Sequence, residues 1–150
     1  MTLINACTFF GHRDCPYHIR PILKDAIIDL IENHGVKQFF IGTHGTFDRL
    51  AISVLCELSE IYTGILCTVV LSYVPQKKEE YPFKTLLPSG IESVPRRYAI
   101  NFRNKWMLRN SSHVILYITH NWSNASKYAD MAVRYNKMVI FLADQNPPTK

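Results

Sequence analysis

The stretch Phe39–Ala51, FFIGTHGTFDRLA, decides the fold. An apolar segment runs into two glycines, Gly42 and Gly45, and an amphipathic helix pattern begins directly after them. The first amide groups of a helix have no intrahelical partner, and anions such as phosphate commonly bind there. This turn therefore predicts a strand that enters a helix, with an anion site at the edge of a sheet.

Strand and helix patterns alternate on both sides of this turn. Helical patterns follow the predicted strands, and Gly35 is placed to end the first helix. Parallel neighbours need right-handed helical crossovers, so the alternation predicts an α/β, Rossmann-like doubly wound parallel sheet of about five strands, in the order 3-2-1-4-5, flanked by helices. The predicted strands cover approximately residues 4–10, 36–41, 65–73, 113–118 and 138–143.

The bulk composition indicates one domain over residues 1–150. A chain of 150 residues with 47% hydrophobic content is long enough to bury its own core. Residues 74–95 are polar and rich in proline, which predicts a long loop acting as a lid or an interface, and residues 144–150 form a flexible tail.

Location is predicted from what the sequence lacks. There is no secretory signal pattern and no apolar run of membrane-spanning length, and the four scattered cysteines are typical of reduced core thiols. We therefore expect a cytoplasmic protein that does not contact a membrane.

The net charge of +5 suits either nucleic acid or a pocket for a small polyanion. The densest basic stretch, residues 96–109, is interrupted by Tyr98, Phe102 and Trp106 at a spacing of four. That spacing predicts a helix with a basic face and an aromatic side that packs in the core or at a dimer interface, and it leaves the choice of partner open. A homo-oligomer is expected because small domains of this type often complete their pockets with a neighbouring subunit, and nucleic acid is the less favoured partner.

Three loops are predicted to meet at the point where the strand order reverses, because ligands of doubly wound sheets bind there, outside the carboxyl ends of the strands. They are the loops at residues 11–13, 42–45 and 121–124. With the third helix, they supply the candidate ligand-binding residues: Gly11, His12, Arg13, Gly42, Thr43, His44, Gly45, Thr46, Asp48, Arg103, Ser123 and Asn124.

Most of these candidates have a structural reading beside the functional one. Gly42 and Gly45 either cradle a phosphate or merely permit the turn, and the immediate start of the helix favours the cradle. Asp48 either bonds a ribose hydroxyl or complements the helix dipole. Arg13 either pairs with phosphate or forms a salt bridge within the protein.

The histidines and the basic helix also leave alternatives open. His12 and His44 either bind a ligand as acid and base or fix loop backbone. Arg103, with Arg96 and Arg97, either closes over an anion or belongs to a solvated face. A zinc site at His12, Cys15 and His18 is not favoured, because structural zinc takes four ligands in paired spacings. We predict no catalytic residue, metal or resident cofactor.

These loops resemble the SLOG superfamily of Rossmann-like proteins, in particular an uncharacterised bacterial and phage branch with a Phe-x-Gly-His-Arg start. The resemblance rests on residues 9–13, FFGHR, on residues 42–51, GTHGTFDRLA, and on residues 103–112, RNKWMLRNSS. Lysine-decarboxylase-like and DNA-processing A proteins are more distantly similar. The resemblance implies binding of a nucleotide or a nucleotide-derived ligand, by a sensor or by an enzyme.

The chain departs from the family pattern in three places. Many relatives have a second glycine directly after the first in the central loop, whereas Thr43 and His44 follow Gly42 here. Residues 123–126, SNAS, stand where relatives often have a glycine turn. Relatives that hydrolyse nucleoside monophosphates carry a glutamate where Arg49 stands here, and glycosidic hydrolysis needs a carboxylate beside the developing cation. Binding of a nucleotide-derived ligand, such as an ADP-ribose-like or cyclic molecule, for sensing or sequestration is therefore the leading hypothesis. A nucleotide-processing enzyme and a nucleic-acid-binding protein are the alternatives.

Overall fold

The computed structural model describes residues 5–74, 80–119 and 123–142, which form six strands and four α-helices. In chain order they are β1 (Ala6–Gly11), α1 (Arg20–His34), β2 (Gln38–Ile41), α2 (Thr46–Ser59), β3 (Leu66–Val70), β4 (Lys84–Leu86), α3 (Arg96–Arg109), β5 (His113–Tyr117), α4 (Asn124–Arg134) and β6 (Met138–Phe141).

The sheet is parallel throughout, with the order β4-β3-β2-β1-β5-β6. β1 lies in the centre, where Thr8 is paired with Phe40 of β2 and with Val114 of β5. The predicted α/β fold is confirmed, and the five predicted strands keep their order 3-2-1-4-5. The reversal of strand order between β1 and β5 creates the crevice that the fold predicts.

The sixth strand, β4, was not predicted. It lies inside the 74–95 segment that the sequence indicated as a long loop, and it pairs with the edge of β3, for example Val69 with Thr85. Its three residues, Lys-Thr-Leu, are too few to show a strand periodicity. Residues 75–79 of that segment, the predicted tail at 144–150, and Ile4 of the first predicted strand lie outside the described residues.

Helices cover both faces of the sheet, and successive residues of the central strand point to opposite cores. Phe9 packs in the cluster formed with α1 and α2, whereas Phe10 packs in the cluster formed with α3 and α4. Phe10 stacks on Tyr128 of α4 at a centroid distance of 4.9 Å. α1 and α2 therefore cover one face of the sheet, and α3 and α4 cover the other.

The aromatic side chains of α3 have different environments. Trp106 packs edge-on against Phe40 of β2, at 5.2 Å between centroids, whereas Tyr98 is 51% exposed and lies under the guanidinium of Arg97. The predicted core role therefore holds for Trp106 and not for Tyr98.

Among the described residues, no helix combines the length and apolar character required to cross a membrane. The four cysteines are all unpaired thiols, of which Cys7 and Cys15 are buried.

Candidate functional site

A cavity of about 550 Å³ opens at the carboxyl ends of β1 and β5, where the strand order reverses. Its floor comes from the end of β1, and its walls come from α3, from the turn after β2 and from the start of α4. Its lining residues are Phe9, Phe10, Gly11, His12, Arg13, Asp14, His44, Asp48, Ile100, Arg103, Asn104, Met107, Thr119, Ser123, Asn124, Ala125 and Tyr128.

The predicted site residues divide into two groups. Eight of them line this cavity: Gly11, His12, Arg13, His44, Asp48, Arg103, Ser123 and Asn124. The other four, Gly42, Thr43, Gly45 and Thr46, do not line it. Residues 121 and 122 of the third predicted loop lie outside the described residues.

The protein itself supplies acceptors for two amides of the turn between β2 and α2. The backbone N–H of His44 donates to Oδ2 of Asp48 at 2.9 Å, and the N–H of Thr46 donates to the carbonyl of Arg13 at 2.8 Å. The hydroxyl of Thr46 donates to the same carbonyl. The expectation that this turn offers open amides to an anion is therefore wrong for His44 and Thr46.

The glycines of this turn make room for protein atoms. A Cβ at Gly42 would lie 2.9 Å from Oδ2 of Asp48 and 3.3 Å from Cζ of Arg103. A Cβ at Gly45 would lie 3.0 Å from the Cα of Arg13. The same holds for Gly11, where a Cβ would overlap the ring of Phe47. Close contacts with other protein atoms therefore explain these glycines better than a phosphate cradle does.

Gly45 is also conformationally constrained, because its φ of 92° and ψ of 173° fall in a region open essentially to glycine alone. We predict that Gly45→Ala lowers the free energy of unfolding by about 1–3 kcal/mol. Chemical denaturation checks this. Gly64→Ala is the matched control, since a Cβ there meets no atom within 4 Å, and equal losses in the two variants would contradict the assignment.

Arg103 of α3 is the centre of the wall. It is 1% exposed, and its Nη1 donates to the carbonyl of Val70 at the end of β3 and to the hydroxyl of Thr43. Its Nε donates to Asn104, and its Nη2 donates to Nδ1 of His44 at 3.1 Å. Four of the five N–H groups of the guanidinium therefore have acceptors. The sequence analysis predicted a ligand contact for this residue, but the hydrogen bonds of its guanidinium go to other groups of the protein.

The contact with Arg103 fixes the protonation of His44. A guanidinium only donates hydrogen bonds, so Nδ1 of His44 must accept, and the proton of the neutral ring lies on Nε2. Burial and the positive charges of Arg103 and Arg13 lower the pKa of His44. The imidazole is therefore neutral near pH 7.

Asp48 is a perturbed carboxyl group at the cavity. It lies in the first turn of α2, and burial raises its pKa from 3.8 to about 6, although Arg103 and the N–H of His44 act in the opposite direction. Its side chain also reaches back to the amide that precedes the helix, as the acidic residue of a capping box does. The carboxylate of Asp48 thus lies at the N-terminal end of α2, where an external anion could otherwise bind.

The raised pKa of Asp48 predicts a pH dependence of stability. Between about pH 4 and pH 6 the carboxyl group of Asp48 binds its proton more tightly in the folded state than in the unfolded state. The contribution of Asp48 to the free energy of unfolding therefore falls as the pH rises through this range. We expect Asp48→Asn to remove that decline while keeping an acceptor for the His44 amide. Denaturation of both proteins across this range measures the difference, and parallel pH profiles would contradict it.

His12 has a structural contact as well. Its Nε2 accepts a hydrogen bond from the backbone N–H of Thr119 at 2.6 Å, which joins the loops after β1 and β5. The ring is buried and lies edge-on against Tyr117. One nitrogen of the imidazole is therefore committed to fixing loop backbone.

Arg13 is different from the other cavity cations. Its carbonyl is held by Thr46, which fixes the position of the residue, while its side chain is exposed at the cavity. Within residues 5–74, 80–119 and 123–142, its guanidinium has no hydrogen bond or ion pair. A positioned guanidinium without a protein acceptor is suited to a bidentate contact with a phosphate or carboxylate.

The start of α4 lines the same cavity as Arg13. Ser123 is the N-cap, and its hydroxyl accepts from the N–H of Ser126 at 3.2 Å. The amides of Asn124 and Ala125 lie in the first turn, where a helix offers no intrahelical acceptor. These amides and the helix dipole favour negative charge at this end of the cavity.

The sequence analysis did not identify three residues of α3 that line the cavity. Ile100, Asn104 and Met107 line the cavity together with Arg103, and their spacing along α3 is that of one helix face. This periodicity was available in the sequence and would have identified them. Arg96 and Arg97, by contrast, stack on Tyr73 and Tyr98 and do not line the cavity.

No group of three or more His, Cys, Asp or Glu side chains is placed to hold a metal ion in the described part of the chain. Neither the family models nor the curated proteins compared with this chain give a match.

Proposed function

We propose that this protein binds a nucleotide or nucleotide-derived ligand, which it senses or sequesters. The ligand would bind in the cavity at the point where the strand order reverses, called the switch-point cavity below. The volume of about 550 Å³ lies within the range of sites for small molecules, roughly 300–1,000 Å³. The position of the cavity is the one at which doubly wound sheets bind ligands. The resemblance of the loops to the SLOG superfamily favours the same class of ligand.

The observation that carries the proposal is that the exposed guanidinium of Arg13 and the first turn of α4 line the same cavity. A phosphate between them would accept hydrogen bonds from the guanidinium and from the amides of Asn124 and Ala125. The anion is thus assigned to the α4 side of the crevice, because Asp48 already occupies the end of α2.

We predict that Arg13→Gln weakens nucleotide binding by roughly 10- to 100-fold, the effect of removing a hydrogen bond to a charged group of about 1.5–3 kcal/mol. Isothermal titration with nucleoside phosphates, cyclic nucleotides and ADP-ribose measures the affinity. Arg49→Gln is the matched control, because Arg49 is exposed on α2 and does not line the cavity. Equal affinities of the two variants would remove Arg13 from the site.

A nucleotide-processing enzyme is the second candidate, and it is favoured by one observation, the raised pKa of Asp48 beside the cavity. A carboxyl group with a pKa of about 6 suits a general acid or base near neutral pH. If this candidate is right, incubation with a nucleotide yields an altered product by chromatography, and Asp48→Asn abolishes the reaction. Recovery of every nucleotide unchanged would leave binding as the function.

A further inference from the structure

A second groove, more open than the switch-point cavity, lies on the outer side of α4. Its volume is about 590 Å³, and it runs between Lys105 of α3 and the face of α4 that carries Lys127 and Arg134. It shares Ser123 and Asn124 with the cavity. The two depressions are therefore neighbours across the N-cap of α4.

The groove concentrates positive charge. Lys105, Lys127 and Arg134 line it, and Asp130 is the one acidic residue among its lining residues. None of these three cations has an ion pair with another residue in the described ranges. On the opposite face of the sheet, by contrast, Glu57 pairs with Arg20 and Lys24. The described part of the chain thus supplies Asp130 to the groove but no ion-pair partner for these three cations.

Lys127 stands at the boundary between the two depressions. Its Nζ lies 5.9 Å from the ring centroid of Tyr128, and Tyr128 lines the switch-point cavity. On α3, Lys105 follows Asn104, which also lines the cavity. Lys105 and Lys127 are thus next in sequence to residues that line the cavity, whereas Arg134 lies at the other end of α4.

We propose that the groove holds a second anionic group of the same ligand, so that the protein selects nucleotides with two or more phosphates over nucleoside monophosphates. This inference rests on the proposed function, since it extends the same ligand from the cavity over the N-cap of α4. The groove contributes affinity through lysine and arginine contacts, whereas the cavity holds the nucleoside and the first phosphate.

The test compares AMP, ADP and ATP, and their guanosine counterparts, by isothermal titration on the full chain. In the wild type, the diphosphates and triphosphates bind more tightly than the monophosphates. The double variant Lys105→Gln/Lys127→Gln weakens binding of ADP and ATP by roughly three- to tenfold, from two exposed contacts of up to about 1 kcal/mol each, and leaves AMP unchanged.

The control is Lys37→Gln/Lys84→Gln, which removes the same charge at two exposed lysines that line neither depression. Equal wild-type affinity for AMP and ATP, or an equal loss for both in the groove variant, would overturn the inference and leave the proposed function standing. Absence of binding by every nucleotide would instead overturn the proposed function, and inorganic tripolyphosphate then tests the groove directly. Tighter binding of a short single-stranded oligonucleotide than of ATP, weakened in the groove variant, would overturn the assignment to a small ligand.

Discussion

The buried guanidinium of Arg103 is the interaction on which the crevice depends. A charge that is 1% exposed is tolerated only when its donors are paired, and here the acceptors come from α3 itself, from the end of β3 and from the turn after β2. The turn is consequently held in one arrangement, with the backbone of Gly42 packed against the guanidinium and the ring of His44 kept neutral. Asp48 supplies the nearby negative charge that partly compensates Arg103.

Because of this arrangement, the N-terminal ends of α2 and α4 differ in the amide groups that they offer to an anion. In a doubly wound sheet both crossover helices bring their N-terminal ends to the crevice, and either end is suited to an anion. At α2 the carboxylate of Asp48 and the carbonyl of Arg13 have already taken amide hydrogens. At α4 the hydroxyl of Ser123 caps a single amide, that of Ser126, and the first two amides lie at the cavity. If the cavity binds an anion as proposed, the protein's own carboxylate would direct that anion to the other helix.

The architecture was predictable because it depends on patterns that span many residues. Five strands and their order followed from the alternation of apolar strands with helices, whereas β4 has three residues and gains its pairing from the edge of β3. The place of the cavity was predictable for the same reason, since the reversal of strand order is a property of the topology.

The chemistry of the turn was not predictable, because a glycine that admits a ligand and a glycine that admits a neighbouring side chain look the same in a sequence. Gly42 and Gly45 approach Asp48, Arg103 and Arg13, and these contacts join residues that are distant in the chain. Arg103 was selected from the sequence, but arginine is usually exposed, so its burial and its four acceptors had no sequence signal. Arg13 lines the cavity and has no hydrogen bond or ion pair to another described residue through its guanidinium, so its suggested role as a phosphate contact stays a prediction.

The proposed anion would enter a cavity that two carboxyl groups line, Asp14 and Asp48, so the charge of these groups matters to the proposal. Asp14 is exposed, whereas burial raises the pKa of Asp48 to about 6, so a proton neutralises Asp48 more readily than an ordinary aspartate. A phosphate near Arg13 would raise the pKa of Asp48 further, because like charges oppose ionisation. The protonated carboxyl would then have a hydrogen to donate to the ligand, whereas the guanidinium groups of Arg13 and Arg103 keep their charge. Binding of the proposed phosphate would therefore be coupled to proton uptake by Asp48.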